Sequence, residues 1–179
     1  MSDASAPVLE PATVDSSPGP PPPLFSHEQL ESHAVALAAA HAISVDPRRA
    51  VPLLPRLEEG ATRLEAAYQF LSGIARTDPQ PVASEDWLRD NYHLVQDQVR
   101  EVRQDLPRKF YLELPKLADG PYRGYPRVYL IARELIAHTA GRFDVDTLVD
   151  FTAAYQRVAT LSIGETWAIP IMLRLGLVE

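Results

Sequence analysis

With 179 residues, 46% of them hydrophobic, the chain is long enough for one domain with a real core, which excludes wholesale disorder. A formal net charge of −7 excludes the broad basic face expected of a nucleic-acid binder. The absence of cysteine excludes disulfides and thiolate metal sites, and it suits a reducing compartment.

Residues 1–24 are Pro, Ala and Ser with three acidic residues and no Lys or Arg, closing on Pro18-Gly19-Pro20-Pro21-Pro22-Pro23. So little apolar surface cannot offset the entropy of ordering, so a disordered tail with polyproline II character is expected. It has neither the basic nor the apolar stretch of a secretory signal. No run in the chain nears the roughly 18–20 apolar residues of a membrane-spanning helix. A cytoplasmic setting is therefore the expectation, with the helical domain over 25–179.

Ser26-His27-Glu28-Gln29 has the form of a capping box and predicts a first helix that ends before Asp46-Pro47. A second helix is expected from Pro55 to Ile74, with Leu57, Ala61, Leu64, Ala67, Tyr68 and Leu71 as its inner face. Asp78-Pro79-Gln80-Pro81 reads as a turn. Ser84 then caps a third helix reaching Asp105, with Trp87, Leu88, Asn91, Val95, Gln98, Val99 and Val102 along one side. Residues 107–124 read as an ordered loop with a short turn at Tyr111 to Leu114. Pro126 opens a fourth helix that Gly141 stops, and Asp144 or Asp146 opens a fifth through Val158. A second capping box, Ser162 to Glu165, starts a sixth helix that carries Pro170 in its interior. With no useful alternating strand pattern, the predicted class is all-α: an irregular bundle of about six helices.

The last helix is apolar at Ile169, Ile171, Met172, Leu173, Leu175 and Leu177, and the sequence stops inside it. An apolar face of that kind needs a cover. The expectation is that the cover lies in a missing part of a longer protein, with the domain truncated at its C-terminus.

Several blocks carry a family resemblance: Asp90 to Val95, Gln98 to Pro107, Tyr111 to Leu117, Gly124 to Tyr129, Glu134 to Thr139, and Leu161 to Leu175. In this order they resemble the N-terminal region of the cyclic β-1,2-glucan synthases, large bacterial membrane enzymes. The match covers Trp87 to the end, is loose over 26–83 and absent in the tail. It implies a parent that polymerises and cyclises glucose from UDP-glucose at the inner membrane, with a divalent metal. It also implies that this region lies at the cytoplasmic face, packed on the glycosyltransferase core. The chain has no acidic metal cluster of glycosyltransferase type and no phosphorylase region, so the region is expected to be a scaffold, inactive alone and without a cofactor of its own. Its implied partners are the remainder of the synthase and the β-1,2-glucan.

Three groups of residues are candidates for binding. Arg123, Tyr125 and Arg127, in Tyr122 to Tyr129, combine aromatic rings and guanidinium forks that suit sugars and phosphates, or else form a structured loop between helices. Asn91 and His93 offer sugar contacts or hydrogen-bonded helix contacts, and adjacent helical positions cannot all face one ligand. Glu165 is a candidate general acid beside Trp167, with its place in the capping box as the competing explanation. Gln96, Asp97, Arg100, Glu101 and Arg103 read as a solvated charged face. The five histidines show no paired metal spacing: His33 and His41 are eight apart, with no ligand between them at one helical turn. No catalytic residue and no metal ligand is assigned. The second reading of the chain is a small carbohydrate-binding or helical interaction module.

Overall fold

Local capping starts the fold where the residue types demand it. Ser26 accepts from the Gln29 amide while the Gln29 side chain accepts from the Ser26 amide, opening α1 over His27–Ala40. The computed structural model describes residues 21–44, 46, 50–73 and 83–179. Thus 1–20 of the predicted tail, and the turn at Asp78 to Pro81, lie outside the described residues. α1 ends at Ala40, and Ile43–Ser44 forms β1, a two-residue strand.

α2 (Leu54–Gly73) and α3 (Ala83–Asp105) follow. α3 begins one residue before Ser84, so Ser84 lies in its first turn and not ahead of it. The predicted inner face of α2 turns inward, with Leu57 buried and the others half-buried. On α3, Val99 and Val102 are buried, but Trp87 is 53% exposed and does not join the core. The segment expected to be a loop contains a further helix, α4 (Arg108–Glu113), and a second short strand, β2 (Lys116–Leu117). The described residues therefore hold seven helices where six were expected. β1 and β2 pair antiparallel, Ile43 opposite Leu117.

α5 spans Arg127–Thr139 with Pro126 as its N-cap. The left-handed turn at its end falls on Ala140 (φ 51°) as well as on Gly141 (φ 70°), one residue earlier than predicted. Asp144 caps α6 (Val145–Gln156), accepting from the Thr147 amide. The Ser162–Glu165 capping box forms in both directions and opens α7 (Ile163–Val178), which continues through Pro170.

The principal correction concerns the apolar end of α7. Ile169, Ile171, Met172, Leu173, Leu175 and Val178 are all buried within this chain, and Leu177 alone of the apolar end is exposed. α5, α3 and α2 pack around α7 and supply the cover expected from elsewhere. A helix this apolar packs against several neighbours at once, and the sequence could show the apolarity but not the neighbours. Large apolar side chains instead stand exposed at the start of α7, Ile163 and Trp167, and at Phe70 on α2.

Candidate functional site

The first interior polar cluster joins α5 to α7. Arg127 is 4% exposed and Glu165 0%, and their side chains meet as a fork: Arg127 Nη2 donates to Glu165 Oε2 at 2.8 Å and Nε donates to Oε1. Arg127 Nη2 also donates to the Thr160 carbonyl at 2.7 Å. Glu165 Oε2 accepts from the Ser162 amide and hydroxyl at 2.9 and 3.0 Å. Burial pushes the Glu165 carboxyl up, but the Arg127 guanidinium and the Ser162 donors outweigh it and hold it below the usual carboxylate range. The group is an ionised counter-charge with its lone pairs in use. Trp167, the neighbour expected to raise it, is 74% exposed.

Beside this pair, His41 Nδ1 lies 2.8 Å from the Tyr155 hydroxyl, and the Arg127 guanidinium lies over the Tyr155 ring. Burial, reinforced by the positive charge of Arg127, pushes the His41 imidazole down to about 4. His41 is therefore neutral at physiological pH.

Tyr125 is half-buried between Tyr122 and Tyr129, with the Arg56 guanidinium over its ring. Tyr129 donates to Glu179 Oε2 at 2.6 Å, Arg56 pairs with Glu179 Oε1, and Arg133 donates to the Tyr129 hydroxyl at 3.2 Å. This knot ties α2, α5 and the end of α7. Of the Arg123, Tyr125 and Arg127 group, Arg123 is exposed, while Tyr125 and Arg127 are turned into the packing. Asn91 donates to the Trp87 carbonyl one turn back at 3.0 Å, and His93 stands exposed on the outer side of α3. The six candidates are not brought to one place. The charged face of α3 is exposed, as expected, and its ion pairs reach neighbouring helices: Arg103 forks onto Glu58 of α2, and Glu101 pairs with Arg174 of α7.

Two features escaped the sequence reading. Lys116 is 0% exposed, and its ammonium donates to the Tyr111 and Leu112 carbonyls at 2.7 Å each, closing the C-terminal end of α4. Burial pushes it down to about 8. The second is His33, Glu134 and His138, whose ligand-type atoms lie within 4.8 Å of one another. Its sequence signal is Glu134 and His138 one helical turn apart on α5, but His33 sits 101 residues from Glu134 and only the fold joins them.

The molecule so described is an all-α bundle whose interior charges tie helices together. A scan against protein-family models returns no match. The chain is similar to a protein of Rhizobium meliloti (strain 1021) named cyclic beta-(1,2)-glucan synthase NdvB, with 29% identity over 156 residues. That alignment covers 87% of this chain and 5% of the relative, so the chain spans about one-twentieth of the length of the curated protein it matches. The family suggested by the sequence blocks is thus the one the comparison returns, and the similar stretch extends beyond the half that carried the blocks. No helix among the described residues is long and apolar enough to cross a membrane. The UDP-glucose chemistry implied by the resemblance calls for a hard cation on oxygen ligands, which the two imidazoles and single carboxylate of the histidine cluster do not match.

Proposed function

We propose that this chain is a helical scaffold region of a cyclic β-1,2-glucan synthase, without glycosyl transfer of its own. The observation that supports it most directly is the closed Arg127–Glu165 pair: the carboxylate and guanidinium best placed for sugar chemistry are buried and bonded to each other. Such a pair fixes α5 against α7, and neither its carboxylate nor its guanidinium is free to act on a substrate. On this reading UDP-glucose and the divalent metal of its transfer chemistry are handled by other parts of the synthase. The exposed Ile163, Trp167 and Phe70 face outward for contact with them at the cytoplasmic face of the membrane. The carbohydrate-module alternative draws on Arg123, since Tyr125 and Arg127 are occupied in packing.

The test incubates the isolated chain with UDP-glucose and Mg2+ or Mn2+ and titrates it with β-1,2-gluco-oligosaccharides. No glucan and no saturable binding up to millimolar sugar is the expected result. Turnover would overturn the scaffold reading, and binding lost on Arg123→Ala would favour the module.

A further inference from the structure

We propose that His33 Nε2, Glu134 Oε2 and His138 Nε2 form a binding site for one divalent transition-metal ion of the Zn2+ type, joining α1 to α5. The inference rests on these side chains and is independent of any role in glucan synthesis.

The tautomer of His138 is the first argument. Its Nδ1 lies 2.8 Å from the Pro23 carbonyl, which can only accept, so Nδ1 carries the hydrogen. In the neutral ring Nε2 is then a bare acceptor, and it faces Glu134 Oε2 at 3.4 Å. Two acceptors held this close, on side chains 11% and 26% exposed, repel unless a proton on the ring or a metal cation lies between them. A backbone carbonyl that fixes the far ring nitrogen is also the usual outer partner of a metal-ligating histidine.

Convergence is the second argument. His33 Nε2 approaches the same carboxylate oxygen at 2.7 Å, so two imidazoles from different helices point at one atom. Tetrahedral Zn2+ with bonds of about 2.0–2.2 Å places neighbouring ligand atoms about 3.3 Å apart. The His138–Glu134 separation already meets that spacing, His33 must withdraw from Glu134 by about half an ångström, and all three atoms lie within 4.8 Å of one another. Glu134 and His138 sit one turn apart on α5, the spacing that puts two ligands on one helix face.

The surroundings hold the rings in place. Phe25 stacks on His138 with centroids 3.8 Å apart at 5°, and it meets His33 edge-on at 5.3 Å. The Phe25 amide donates to the His138 carbonyl at 3.0 Å. Two imidazoles and a carboxylate favour Zn2+ over Mg2+ or Ca2+, and three protein ligands leave one position for water. The bound ion would clip α1 and the segment from Pro23 to Phe25 onto the last turn of α5.

The metal-stripped full chain is titrated with Zn2+ against a competing chelator, beside His33→Ala and Glu134→Gln, with Co2+ absorption as a reporter of coordination. One Zn2+ per chain is expected, together with a Tm that rises with Zn2+ and not with Mg2+. His33→Ala should weaken binding by more than about 100-fold, beyond the 10- to 100-fold loss typical of an outer partner, and abolish the tetrahedral Co2+ spectrum. Glu134→Gln keeps the side-chain shape and gives the same reading should His33→Ala fail to fold. No saturable binding, or equal Zn2+ affinity in the wild type and the variants, would overturn the site and leave a hydrogen-bonded helix clip.

Discussion

Arg127 and Glu165 show how two sequence candidates become one structural pair. In the sequence each stands alone, Arg127 as a sugar or phosphate fork and Glu165 as a cap or an acid. Thirty-eight positions separate them, and no local pattern announces that they meet. Replacing Glu165 by Gln keeps the cap to Ser162 but strands a buried guanidinium. A loss of about 3–5 kcal/mol is expected by urea denaturation, whereas Arg123→Ala on the surface should stay within about 0.5 kcal/mol. His41 gives a pH dependence at the same scale. Its folded value of about 4 lies below the unfolded value near 6.5, so the native state binds fewer protons between these limits. The stability it contributes is present above pH 6.5 and is lost as pH falls towards 4, by about 2–3 kcal/mol. Comparing the pH profile of Tm for His41→Gln with wild type isolates this contribution, and the variant should fall less steeply.

Helix starts were legible because capping is local. Ser26, Asp144 and Ser162 each carry their partner three residues on, and all three caps form. α4 was not legible: at six residues between Pro107 and Pro115 it has no room for a periodic stripe, and its C-terminal carbonyls depend on Lys116 folding back. The crossing of α2 over the end of α7 was equally hidden. A Cβ at Gly60 would stand 2.5 Å from the Val178 carbonyl oxygen, which is backbone and cannot swing aside. Gly60→Ala should therefore destabilise by about 1–3 kcal/mol despite the better helix propensity of Ala. At Gly176 the nearest atom is the flexible Ile136 Cδ1 at 2.9 Å, so Gly176→Ala should come closer to neutral. Chemical denaturation of the two variants side by side checks the contrast.

At the scale of the whole molecule, α5 and α7 form the axis, α1 with α6 flanks one side, and α2 with α3 flanks the other. The all-α class followed from periodicity, but the placement of the apolar C-terminal segment did not. Hydropathy shows that a helix wants to be surrounded and is silent on which helices do so. The histidine cluster was missed for the same reason, since His33 reaches Glu134 only once α1 is laid across α5. This layering predicts that the amides of α5 and α7 exchange with solvent only through global unfolding, while α2 and α3 open at lower free energy. Native-state hydrogen exchange across a denaturant series reads this order directly, and α7 amides exchanging as fast as those of α2 would contradict it.

The chain has two tryptophans, and both stand outside its core: Trp87 at 53% exposure and Trp167 at 74%. Their indoles are already in water in the native fold, so melting the interior hardly changes what surrounds them. Intrinsic fluorescence is therefore a poor thermometer for this protein and a good sensor of its skin. A blue shift on mixing with another molecule would mark the moment when that surface is covered.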